Sequence, residues 1–291
     1  MGDPQGLRGL QNFIGALATL GWVQGKDVSY DVRWNSGIAA QTRLDASDLV
    51  RLAPDVILVS TSEMASAIAK ETSRIPVVFV GVTDPVGLGL VRNFGHPGTN
   101  MTGFANFEPS VGGKWLEMLG EIDPRATRVL ALFSPETGSA SLKMEPALRT
   151  AAQSLKLDFV ARFVGTPREI GGVVAEFARR PHGVLVVSPS SMMLKYAPEL
   201  VSAAAKNHVP AIYFNPIFIE RGGLMAFAPP PFSKRTPQAA TYVDRILRGS
   251  TPADLPVQNP KFELTINLRA AEALGLTVPA SLLIQADKLL H

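Results

Sequence analysis

Cysteine is absent from this 291-residue sequence, which excludes disulfide bonds, thiol catalysis and thiolate metal sites. Histidine is scarce: the four are His96, His182, His208 and His291. No two of them stand at the i, i+3 or i, i+4 spacing that puts two imidazoles on one helix face, so no metal site is expected. Long hydrophobic runs are missing too, since no stretch reaches the roughly 18 uncharged apolar residues that span a bilayer. No charged segment, apolar segment and cleavage site of the secretory kind opens the sequence. Charge of one sign is not in excess, with 28 basic against 25 acidic residues for a formal net charge of +3. The basic residues are scattered, and the nearest to clusters, Arg179-Arg180 and Lys234-Arg235, read as solvated surface, not as a nucleic-acid footprint. Reactive motifs are lacking as well. There is no GxSxG nucleophile elbow, Gly87-Leu88-Gly89-Leu90-Val91-Arg92 fails GxGxxG at its last position, and no glycine run ends in Gly-Lys-Ser/Thr. These absences argue against an enzyme and against a bound cofactor.

What the sequence does have is a repeat. An apolar fraction of 46% with 18% charged residues describes a globular protein long enough for two lobes with their own cores. From Pro54 to Thr83 the order is an apolar run Val56–Val59, a polar turn Ser60-Thr61-Ser62, a helix-like stretch to Arg74 and a second apolar run Val77–Val80. From Pro181 to Asn215 the same order returns as Val184–Val187, Ser188-Pro189-Ser190, a helix-like stretch to Asn207 and Ala211–Phe214. Apolar runs this continuous suit strands of a parallel sheet covered on both faces. The expected fold is therefore α/β, with two similar doubly wound parallel-sheet lobes and a ligand cleft between them.

The repeat extends outward. The helix-like segment Leu10–Leu20 and a strand at Val28–Trp34 match Pro146–Leu155 and Leu157–Val164. The second copy opens with a strand at Arg128–Phe133, which the first lacks, so the reading expects a further apolar strand, and a signal peptide before it, ahead of Asp3-Pro4. Residues 1–107 and 226–258 are assigned to an N-terminal lobe, and residues 108–225 and 259–291 to a C-terminal lobe. The glycine- and proline-rich passages Gly95–Phe104 and Gly222–Pro231 are candidate hinges, with a third passage at Leu255–Pro260.

In a parallel sheet the turns after the strands share one edge, and the helix N-termini that follow offer backbone N–H groups to an anion such as a carboxylate. The candidate ligand-binding residues lie on those turns: Thr61, Ser62, Thr83 and Asp84 in the first copy; Ser134, Glu136, Ser188, Ser190, Tyr213 and Asn215 in the second. Asn106 and Phe107 join them. Serine, threonine and aspartate are equally ordinary helix caps, and Asp84 in particular reads as well as a cap before Pro85. Phe104, Phe107, Tyr213 and Phe214 are candidate apolar walls, with one of the adjacent pair Tyr213 and Phe214 expected in the core.

The segments LGWVQGKDVSYDVRW, LAPDVILVST, IPVVFVGVTDPVGLGLV, HPGTNMTG, GKWLEML, GGLMAFAPP and YVDRILRGSTPADLPVQNPKFELTINLRAAEALGLTVPASLLIQAD, in this order, resemble the ABC-transporter substrate-binding protein family, some of whose members take up tryptophan, tyrosine or related amino acids. The resemblance implies a type I periplasmic-binding fold, an extracytoplasmic location, no catalysis, and delivery of ligand to an ABC permease and its ATPase. On this reading the protein is a monomeric receptor that closes on a small carboxylate-bearing ligand, an aromatic or branched amino acid. A sensory module of the same fold, signalling to a partner protein, is the alternative.

Overall fold

The computed structural model describes residues 4–34, 38–106, 111–135, 138–230, 232–259 and 261–291. The chain divides into two compact units. Unit 1 is Met1–Glu108 with Pro230–Pro260, and unit 2 is Pro109–Pro229 with Lys261–His291.

Unit 1 runs α1 (Pro4–Thr19), α2 (Ala39–Arg51), β1 (Ile57–Val59), α3 (Ser62–Glu71), β2 (Val77–Val82) and β3 (Met101–Ala105). Unit 2 follows with α4 (Val111–Ile122), β4 (Arg128–Phe133), α5 (Gly138–Ser154), β5 (Asp158–Phe163), α6 (Pro167–Ala178), β6 (Gly183–Val187), α7 (Ser191–Lys195), α8 (Ala197–Lys206), β7 (Ala211–Tyr213), α9 (Ile217–Glu220) and β8 (Met225–Ala228). The chain returns to unit 1 for α10 (Phe232–Leu247). It ends in unit 2 with β9 (Glu263–Asn267), α11 (Leu268–Ala273), α12 (Ala280–Gln285) and β10 (Lys288–Leu290).

The sheet of unit 1 is parallel, in the order β1-β2-β3. Side chains alternate across a strand, and here both faces are covered. Val77, Phe79 and Val82 pack with Ala46 of α2 and Met64, Ala65 and Ile68 of α3. Val78 and Val80 pack on the other side with Phe13 and Leu17 of α1 and Ala239, Ala240 and Val243 of α10. This two-sided burial is why the strand reads as an unbroken apolar run.

The sheet of unit 2 has seven strands in the order β10-β9-β8-β7-β6-β4-β5. Its parallel part, β5-β4-β6-β7-β8, is the 2-1-3-4-5 order of a doubly wound sheet. β9 adds antiparallel to β8, and β10 parallel to β9. Val129–Phe133 and Val184–Val187 are fully buried. Trp115 of α4 is fully buried as well, and its indole N–H donates to the carbonyl of Phe227 at 2.8 Å.

Four details differ from the sequence expectations. Val28–Trp34 enters no strand ladder; the equivalent β5 pairs with β4, and unit 1 has no strand in that place among the described residues. Residues 226–229 belong to unit 2, because Met225–Ala228 is hydrogen-bonded between β7 and β9. The candidate hinge passage Gly95–Phe104 runs into strand β3, and Gly222–Pro231 contains β8 before it reaches the boundary between the units at Pro229–Pro230. The second crossover is two helices, α7 and α8, with Tyr196 between them and Pro198 in the first turn of α8, a position where its missing N–H is not needed. Among the described residues, no helix is long and apolar enough to cross a membrane.

Candidate functional site

Each unit collects its candidate residues at the carboxyl edge of its own sheet. In unit 1 the turn after β1 holds Thr61, an extended N-cap (φ −136°) whose hydroxyl accepts from the Met64 N–H at 3.2 Å and so starts α3. Ser62 reaches sideways, its Oγ accepting from the Thr83 N–H at 3.0 Å, which ties the turn after β1 to the turn after β2. Asp84 is left-handed (φ +51°), and its Oδ1 accepts from the Gly87 N–H at 2.9 Å, so it also performs the capping role weighed for it. The Asn106 N–H donates to the Val82 carbonyl at 2.8 Å, and its side chain is half-buried at the same edge. Phe107 and Glu136 lie outside the described residues.

In unit 2 Ser190 caps α7, accepting from the Met193 N–H at 3.0 Å, and Asn215 Oδ1 accepts from the Ile217 N–H at 3.0 Å. Ser134 and Ser188, at the ends of the adjacent strands β4 and β6, are each 1% exposed. The Ser134 hydroxyl donates towards Met192 Sδ at 3.7 Å. The Ser188 N–H is held by the Leu132 carbonyl at 3.0 Å, but its Oγ is buried without a hydrogen-bond partner among the described residues. Native proteins leave few such hydroxyls, and each calls for a reason.

Of the adjacent pair Tyr213 and Phe214, one was expected in the core, and the structure buries both. Tyr213 stacks on Phe218 with ring centroids 4.6 Å apart and planes at 11°, and Phe214 meets the same ring edge-on at 5.3 Å. Burial pushes the Tyr213 phenol well above its ordinary range. Phe104 is likewise a core residue, 4.9 Å from the ring of Tyr242. The Tyr213 and Phe214 rings both pack against Phe218 on α9.

The residue that sequence reasoning missed is Arg235. Lys234 is exposed as expected, but Arg235 in the first turn of α10 is only 9% exposed. Its Nε and Nη1 are buried without hydrogen-bond partners among the described residues, and burial pulls its pKa down to about 10, which leaves it charged at neutral pH. The guanidinium lies over Gly81, where the ladder of β2 is irregular between Val80 and Val82. Gly81 has φ +85°, and a Cβ added there would stand 3.3 Å from Nη2, 3.6 Å from Nη1 and 3.8 Å from the Ser60 carbonyl. The glycine thus leaves room for the cation beside the Ser60–Ser62 turn. The other buried arginine, Arg128, is served differently: it donates to the carbonyls of Arg180 at 2.9 Å and Phe177 at 3.1 Å and lies over the Phe177 ring. The signal for Arg235 was present in helical spacing, because it stands four and eight residues before Ala239 and Val243, which face the sheet.

The sequence pattern of the ABC transporter substrate binding protein family matches residues 4–290. A "Tyrosine-binding protein" of Clostridioides difficile (strain R20291) is 24% identical over 267 residues, covering 91% of this chain and 76% of that protein. Among solved structures, a conserved domain protein from Vibrio cholerae superposes with a TM-score of 0.85 at 26% identity, over 98% of this chain and 95% of that one. An ABC domain in complex with L-Trp from Streptococcus pneumonia gives a TM-score of 0.84 at 22% identity, over 99% and 96%. The fold of the chain is that of the type I periplasmic binding proteins.

Proposed function

This chain belongs to the ABC transporter substrate binding protein family, and we propose that it is the solute receptor of an import system for an aromatic or branched amino acid or a related small acid. The relative that binds tyrosine and the structure that holds L-Trp support an amino-acid ligand. The observation on this chain that carries the reading is the hydroxyl of Ser188, buried at the end of β6 with no hydrogen-bond partner among the described residues. A desolvated hydroxyl with no internal partner costs stability, and a ligand that bonds to it removes that cost. On this reading the receptor works outside the cytoplasmic membrane and hands its ligand, chemically unaltered, to an ABC permease with its ATPase.

Thermal unfolding against the twenty amino acids and a set of small aromatic and aliphatic acids tests the reading. Ligand at about a hundred times its Kd adds about 2.7 kcal/mol, a rise of roughly 5–10 °C for units of this size. A shift confined to one chemical group identifies the ligand class. A flat panel on a protein that unfolds cooperatively removes the amino-acid reading.

Ser188→Ala separates binding from folding. Deleting an unpartnered buried hydroxyl leaves stability unchanged or raises it by about 1 kcal/mol, while affinity for the ligand drops several-fold. Thr61→Ala behaves oppositely in stability, losing about 1 kcal/mol of capping. Denaturant titrations of the two variants beside binding isotherms check both signs, and a Ser188→Ala protein of unchanged affinity would remove Ser188 from the site.

A further inference from the structure

Arg235 is a cation without a job inside its own fold. It is buried, two of its donor nitrogens have no partner, and no carboxylate is paired with it among the described residues. Burying an unpaired charge is strongly unfavourable, and breaking up a buried ion pair is costly for the same reason. Its position adds to the cost. Arg235 sits in the first turn of a 16-residue helix that has no acidic residue there, so the positive end of the helix dipole and the guanidinium repel each other. Both features invert if an anion is present: the dipole and the cation then attract the same group. The guanidinium lies at the carboxyl edge of the unit 1 sheet, beside Gly81 and Ser60. Planar guanidinium donors match the two oxygens of a carboxylate better than any other side chain does.

We infer that Arg235 is the residue of this receptor that takes the ligand's carboxylate, seated over Gly81 and completed by the Ser60–Ser62 turn. The inference rests on the amino-acid reading and sharpens it, because it makes the free carboxylate, not the side chain, the group without which the ligand does not bind. Gly81 belongs to the same device, since any side chain there meets the guanidinium.

The test is calorimetric titration of the wild type, Arg235→Met and Arg235→Lys with L-tryptophan, L-tyrosine and L-leucine and with their carboxamides, alongside thermal unfolding of the three ligand-free proteins. The wild type binds at least one of the acids and discriminates against its amide by about a hundredfold. Arg235→Met loses that factor for the acid and no longer separates acid from amide; Arg235→Lys keeps the preference for the acid at reduced affinity. Ligand-free Arg235→Met melts at the wild-type temperature or above it, because an unpaired buried charge has been removed. Arg235→Met that binds the acid as the wild type does overturns the inference and leaves the amino-acid reading standing. So does an Arg235→Met that melts well below the wild type and regains full affinity when cooled, since Arg235 is then a structural residue. A wild type that binds none of these acids overturns both, before any variant is compared.

Discussion

Gly103→Ala is expected to abolish or severely weaken the fold of unit 1. Gly103 sits in the middle of β3 opposite Phe79 of β2, with φ +147°. A Cβ at this position would lie 2.0 Å from the Phe79 carbonyl oxygen and 2.6 Å from its amide nitrogen. Those atoms belong to the backbone of the central strand, so no side chain can swing aside to relieve the overlap. Relief requires β2 and β3 to part, which breaks the ladder from Val77 to Val82 and opens both core layers packed on it. The expected loss is about 4 kcal/mol or more, at the upper end of single substitutions. A drop in Tm of roughly 10 °C or failure to accumulate as folded protein is the readout. Gly21→Ala is the control: Gly21 has φ +100° but open space around it, so it isolates the conformational cost at about 1 kcal/mol. If Gly103→Ala melted no lower than Gly21→Ala, the close approach of β3 to β2 described above would be wrong.

Trp115→Ala has the second largest expected effect, and it falls in unit 2. The indole of Trp115 on α4 is fully buried, and its N–H satisfies the Phe227 carbonyl of β8 at 2.8 Å. Truncation removes the largest buried side chain in the protein and strands that carbonyl, so the cost is about 3–5 kcal/mol. Trp115→Phe keeps most of the volume and loses the donor, which limits its cost to about 1–3 kcal/mol. Chemical denaturation of the two variants separates packing from hydrogen bonding. Equal losses would mean that the bond to Phe227 dominates, and a negligible loss for Trp115→Phe would mean that it contributes nothing.

How far the sequence disclosed this structure depended on burial. Strands β2, β4 and β6 were legible because residues such as Val77, Val78, Phe79 and Val80 face two cores at once and leave an unbroken apolar run. The Thr61 and Ser190 turns were legible because an N-cap requires a short oxygen-bearing side chain at one place. Val28–Trp34 misled, since its match to Leu157–Val164 in the repeat makes a strand only where a neighbour supplies the hydrogen bonds, as β4 does for β5. Met225–Ala228 misled in the opposite way: flanking glycines and prolines made a strand look like a connection. Alternation put one of Tyr213 and Phe214 in the core, but nothing local revealed that Phe218 packs against both. Arg235 was hidden for a physical reason. Arginine is so seldom buried without a partner that a basic pair on a helix is taken for surface, and only the helical row it shares with Ala239 and Val243 pointed inward.

Calorimetric titration of the intact protein with L-tryptophan, L-tyrosine and L-leucine tests the central claim most directly. The account predicts saturable binding of one ligand per chain by at least one of them, with a Kd in the micromolar range or tighter, about −8 kcal/mol or more favourable, and with the ligand recovered unaltered afterwards. A cooperatively folded protein that shows no saturable heat with any of the three, or that converts one into another compound, would contradict it.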